Sequence, residues 1–155
     1  MKTIFDVRDS YLGGETLTDD DLNIAKKSLE SSKTIERIYA SQILLVFSRS
    51  TMERQNVIDV VADLYEQAIL HSEIVVPDLL NLLQLVPDRT LHDQAVFYRV
   101  VVGAMQSDDW EFRVSAVPVL VRYARAGNQE AKLLLAQARQ DSHEYVRFNA
   151  EHCAK

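Results

Sequence analysis

The 155-residue sequence has one cysteine, three prolines and four glycines, and each scarcity removes a class of chemistry. With Cys153 alone, no intrachain disulfide can form and no Cys-x-x-Cys site exists. Histidines stand only at 71, 92, 143 and 152, with no His-x-x-x-His and no His-Glu-x-x-His among them. His143 and His152 fall on one expected helix, but nine residues apart, so they face opposite ways. Neither a metal nor another cofactor is therefore expected. Gly13-Gly14 is a bare turn rather than a phosphate-binding loop. Cys153 is a lone thiol near the end of the sequence, with no evident base, so no catalytic residue is expected and the chain reads as a non-enzyme. No apolar run approaches the ~18 residues of a membrane span. Residues 1–9 carry Lys2, Asp6, Arg8 and Asp9 with no apolar stretch after them, so a signal peptide is not expected and the reading is cytoplasmic.

Apolar residues make up 47% and charged residues 26%, a globular composition. The net charge is −6, of which residues 1–77 carry −5 and residues 78–155 carry −1. Nucleic-acid affinity rests on Lys and Arg neutralising phosphates, so an acidic chain is not expected to bind nucleic acid. A basic protein partner is favoured instead, because complementary fields speed encounter. The chain alone is expected to be a monomer that does not bind membranes.

Apolar positions recur at three and four rather than two, which indicates helices. Thr18 with Asp21 starts a helix over 19–31, and a nearly all-apolar helix over 34–50 should be central. Ser50-x-x-Glu53 opens 52–71, Pro77 begins a helix that Pro87 stops, and Thr90 caps 91–106. Asp108-x-x-Glu111 opens a helix to Ala126, Asn128 caps 129–140, and Asp141-x-x-Glu144 opens the last. Ala116, Val117, Leu120, Ile43, Leu44 and Phe47 should be core. Residues 1–17 are uncertain, with Ile4, Phe5, Tyr11 and Leu12 able to line a short helix before Gly13-Gly14.

Two of these helix starts repeat. Asp108 to Ala116 and Asp141 to Ala150 each read as acidic residue, Glu three on, then Arg-x-x-Ala, with Arg113 and Arg147 34 residues apart. Arg37-Ile38-Tyr39-Ala40 is a third copy of the arginine motif. A period near this length marks a stacked array of helix pairs. The pattern resembles the HEAT-repeat family, and Pro118 stands where that family often carries a mid-helix proline. The resemblance is good over 108–155 and weaker over 32–71. It implies an all-α fold, a right-handed α-solenoid of about eight antiparallel helices in one domain spanning 1–155. Each first-turn arginine opposes the helix dipole and should be compensated by a carboxylate on a neighbouring repeat.

The candidate binding residues follow from charge. Asp59, Asp63 and Glu66 share one face of the 52–71 helix and could present a negative stripe to a basic partner. Glu73 and Asp78 bound a following acidic loop. Trp110, the only tryptophan, is a candidate interface anchor, although an edge of the core suits it better. Size, acidity and helix-pair architecture also resemble bacterial immunity proteins, which implies occlusion of a cognate basic toxin such as a secreted nuclease. The alternatives are a HEAT-like scaffold or adaptor, including the phycobilin-lyase-like kind, and a HEAT-like DNA glycosylase, whose cationic groove the charge argues against.

Overall fold

A computed structural model of the chain describes residues 1–48, 50–70 and 77–153, and the side chains of all of these except 68–70 and 77–79. Every regular element among them is helical, helix accounting for 78% with no strand. In order they are α1 (Ile4–Leu12), α2 (Asp19–Ser28), α3 (Thr34–Phe47), α4 (Thr51–Leu70), α5 (Pro77–Leu82) running into a 3-10 turn (Leu83–Leu85), α6 (Asp88–Asp93), α7 (Ala95–Met105), α8 (Trp110–Arg125), α9 (Gln129–Ala138) and α10 (Glu144–Cys153). Among the described residues no helix is long and apolar enough to cross a membrane. The elements fall into two compact units, Met1–Gln67 and Ala68–Lys155.

In the first unit, α1 forms because Thr3 and Asp6 make a complete capping box, Thr3 N–H donating to Asp6 Oδ2 at 2.6 Å. It ends where Gly14 takes φ +77°, a left-handed conformation that costs glycine nothing. Glu15 N–H then reaches back to Ser10 O, and Gly14 N–H to Tyr11 O, closing the last turn. The helix packs on α2 and α3. It buries Ile4 and Val7, whereas Phe5 and Leu12 stay exposed. The central position expected of α3 is found, with Ile38, Ala40, Ile43, Leu44 and Leu45 buried. Phe47 corrects the expected core: it is only half-buried, because it lies in the last turn of α3, edge-on to Tyr11 at 5.7 Å. On α4, Val57, Ile58, Val61, Leu64 and Tyr65 make the buried face.

The second unit centres on α8, which packs against α5, α7, α9 and α10 and runs unbroken through Pro118. Ala116, Val117, Val119 and Leu120 are fully buried there. The α8–α9 junction turns at Gly127, φ +99°. Asn128 N–H bonds Tyr123 O at 3.1 Å to end α8, while its side chain accepts Ala131 N–H at 2.9 Å to begin α9. Arg122 ties α8 to the chain ahead of it, donating to Asp88 Oδ1 at 2.6 Å, Leu83 O at 2.7 Å and Val86 O.

Three helix starts differ from those expected. The helix expected over 91–106 is two, with Gln94 extended between α6 and α7 and Thr90 inside α6. Val96, Phe97, Val100, Val101 and Ala104 share the buried face of α7. At 100° per residue, a continuous helix would turn Leu91 roughly 150° away from the centre of that face. The break lets Leu91 be fully buried too. Asp109 rather than Asp108 caps α8, accepting Glu111 N–H at 3.0 Å. Asp141 does not open α10, which begins at Glu144. Its carboxylate is taken by Arg113 instead, through bonds of 2.8 and 2.9 Å.

That pair supplies the expected compensation for a first-turn arginine, and Arg37 finds its own in Asp63 at 2.9 Å. The two copies of the motif also share local geometry. Arg113 Nη1 donates to Ser107 O at 2.8 Å and Arg147 Nη1 to Asp141 O at 2.6 Å, each six residues back.

Two carboxylates, Asp21 buried and Asp141 half-buried, make the fold acid-sensitive. Hydrogen bonds from Lys2, at 2.7 Å, and from Thr18 hold Asp21 below the usual carboxylate range. At Asp141 burial pushes the carboxyl up, but the Arg113 and His143 hydrogen bonds outweigh it and leave it lowered. A carboxylate whose folded pKa lies below its unfolded one stabilises fully above the unfolded value, about 4, and loses that contribution as pH falls through the lower folded value. The urea midpoint should therefore hold from about pH 7 to about pH 5 and drop below about pH 4, less steeply in Asp21→Asn/Asp141→Asn. A midpoint in the double variant that falls as steeply as the parent's would assign acid lability to other groups.

Candidate functional site

The first unit carries a groove walled by α2 and α4 and floored by α3. On α2 and the turn after it, Asp19, Leu22, Asn23, Lys26, Leu29 and Glu30 line it, a spacing that keeps them on one face. Leu44, Phe47 and Ser48 supply the floor. Glu53, Asn56, Val57 and Val60 form the α4 wall, again one face at i, i+3, i+4 and i+7. The groove has two chambers, of about 230 Å³ and about 380 Å³. Both are lined by Lys26, Leu44, Ser48 and Glu53. Between them Lys26 Nζ meets Glu53 Oε1 at 3.0 Å, a strap joining the walls.

The local sequence explains this arrangement. Thr18 accepts Asp21 N–H and turns Asp21 inward to Lys2, which leaves Asp19 and Asp20 exposed in the same first turn. Ser50 Oγ accepts Glu53 N–H at 3.1 Å, so α4 starts with Glu53 in position to cross to Lys26. Leu22 and Leu29 are seven apart on α2 and only half-buried, an apolar stripe left partly open to solvent. The charged lining is Asp19, Glu30 and Glu53 against Lys26, with Arg54 Nε at 3.4 Å from the floor's Ser48 Oγ. Among the described residues the groove offers apolar contact at its base and more carboxylates than cations in its lining.

The residues singled out by sequence are distributed differently. Asp59, Asp63 and Glu66 lie on α4, on another face from the groove wall. Asp59 is exposed and accepts from Gln55 Nε2 at 2.9 Å, Asp63 is held by Arg37, and Glu66 is half-buried. Glu73 and the side chain of Asp78 lie outside the described residues. Trp110, in the second unit, is half-buried and stacked on His143, rings 4.1 Å apart and 4° from parallel, with Tyr145 tilted at 5.6 Å. Sequence reasoning missed Lys26, Glu53, Asn56 and the half-open leucines. The signal available was the Leu22/Leu29 stripe, which extends the face of the buried Ala25 by two leucines that stay half-open.

Among the described residues no group of three His, Cys, Asp or Glu is arranged to hold a metal. Comparison of the chain with family models, curated proteins and solved structures finds no match in any of the three.

Proposed function

We propose that this chain is a non-catalytic protein-binding module of the HEAT-like, α-solenoid kind, and that it acts as an immunity-type inhibitor. It neutralises a basic partner, a nuclease toxin being the fitting class, by covering that partner's functional groove. The observation that carries this reading is the acid-rimmed, apolar-floored groove of α2, α3 and α4, in the half of the sequence that holds most of the net charge. Apolar contact at the centre with charge at the rim is how protein interfaces divide affinity from steering. On another face of α4 the exposed Asp59 adds to the same negative field. The shared geometry of Arg113 and Arg147 supports the repeat reading.

The test is capture on the immobilised chain at about 0.01 M and about 1 M ionic strength, where screening length falls from roughly 30 Å to roughly 3 Å. A basic protein should be retained at low salt and released faster at high salt. Its nuclease activity should fall stoichiometrically as the chain is added. A captured nuclease that stays fully active would refute inhibition. Asp59→Asn, at an exposed position, should slow association and flatten its salt dependence, with stability moved by less than about 0.5 kcal/mol.

A second reading rests on one pocket of the second unit. Val121, Ala124 and Leu135 floor a space of about 270 Å³ whose charged lining, Arg125, Lys132 and Arg139, is all cationic. That favours an anionic ligand, and retention of duplex DNA in the same capture experiment would support it over inhibition.

A further inference from the structure

We propose that the pocket between α8 and α9 binds a small phosphate monoester that carries an apolar group. This rests on the anionic-ligand reading of that pocket and is independent of the inhibitory function. Two helix faces make the site. Val121, Ala124 and Arg125 stand at i, i+3 and i+4 on α8, and Lys132, Leu135 and Arg139 at i, i+3 and i+7 on α9 and its cap residue. The turn at Gly127 folds the second helix back along the first, so both faces line one space of about 270 Å³. Val121, Ala124 and Leu135 are buried and floor it, while the three cations are exposed around them.

These cations differ from others in the chain. Arg37, Arg113 and Arg122 each meet a carboxylate, at 2.9, 2.8 and 2.6 Å. Among the described residues no carboxylate pairs with Arg125, Lys132 or Arg139, and Arg125 donates to a neutral carbonyl, Cys153 O, at 3.4 Å. Glu130, the one acidic residue of α9, instead accepts from the Tyr98 hydroxyl at 2.5 Å. Charge and oxygen count then select the ligand. A carboxylate brings one charge and two oxygens, whereas a phosphate monoester brings about −1.5 to −2 and three acceptor oxygens for the three cations. Number excludes the polymeric anions. Duplex binding neutralises on the order of six to ten phosphates at once, and docking on an anionic membrane uses clusters of about four to eight Lys or Arg. Three cations on a chain of net charge −6 fall short of both. The buried floor leaves apolar contact for the ester group, which inorganic phosphate lacks.

The probe is phenyl phosphate, titrated into the isotope-labelled full chain at about 0.01 M ionic strength and followed by amide chemical shifts. Shifts should gather at residues 121–125 and 132–139 and saturate with a Kd of about 1 mM or below. Inorganic phosphate should bind about fivefold more weakly, because it leaves the floor uncovered. Phthalate, a dicarboxylate of similar size, should bind about tenfold more weakly, because neither of its groups offers three oxygens. Lys132→Gln/Arg139→Gln should raise the Kd tenfold or more with circular dichroism like the parent's, since both side chains are exposed and without an ion pair. Should that variant misfold, Arg125→Gln gives the same comparison. Shifts that are absent or spread over the whole chain overturn the proposal, as does a Kd unchanged in a folded variant. Phthalate binding as tightly as phenyl phosphate overturns the phosphate assignment. Duplex DNA or phosphatidic-acid vesicles retained by the parent and released by the variant, with phenyl phosphate silent, would overturn the small ligand while an anionic ligand stands. With none of these probes bound, both readings of the pocket fall.

Discussion

Arg113→Met should lower the unfolding free energy by roughly 3 kcal/mol, because it strands a half-buried carboxylate without its counter-ion. Both side chains of the Arg113–Asp141 pair are only 12% exposed, and two hydrogen bonds of 2.8 and 2.9 Å join them. Neighbouring groups depend on the same atoms. Asp141 also accepts His143 N–H at 2.9 Å, and Arg113 donates to Ser107 O. Asp141→Ala should therefore cost as much as Arg113→Met or slightly more, since it also frees the His143 amide. The double variant should cost far less than the sum, because neither charge is then left alone. Urea melts of the three variants give the comparison directly. Additive losses would show that the two side chains do not act as a pair.

Phe97→Ala should be as damaging, at about 3–5 kcal/mol, since the ring has no exposure at all and the space it leaves cannot collapse freely. The same substitution at Phe47 should cost roughly half as much. Phe47 is half-buried and reaches one ring edge-on, at 5.7 Å from Tyr11. Equal losses at the two positions would mean that the floor of the groove is as tightly packed as the core of the second unit. The smaller chamber, which Phe47 lines, would then have little room for a guest.

What the sequence made legible was what neighbours in sequence decide. Capping chemistry at Thr18, Asn128 and Ser50 is local, so helix starts there could be placed to within a residue or so. Thr3-x-x-Asp6 carries the same signal, but the short apolar pattern after it left residues 1–17 uncertain. The break at Gln94 was not legible, because no glycine or proline marks it. It arises from burying Leu91 and Phe97 together, which is a tertiary demand. Asp141 misled for a related reason. Its spacing to Glu144 is that of a capping box, yet a partner 28 residues away claims the carboxylate. The negative stripe was visible as spacing, but Arg37's hold on Asp63 required two helices to be in place. The groove is the least legible feature. It exists because α2 and α4 stand apart above α3, and a pattern of apolar and polar positions cannot distinguish a half-open leucine from a loosely packed one.

The stacking of Trp110 on His143 has a spectroscopic consequence. The chain has one tryptophan, and its indole is pressed against a ring from the turn before α10. Tryptophan fluorescence therefore watches one junction, where α10 meets α8. Circular dichroism, by contrast, sums every helix. Should the two units melt at different urea concentrations, the two signals will trace curves that do not superimpose. The fluorescence midpoint will then belong to the second unit alone. A ligand seated between α2 and α4 would shift the dichroism curve and leave the fluorescence curve where it was.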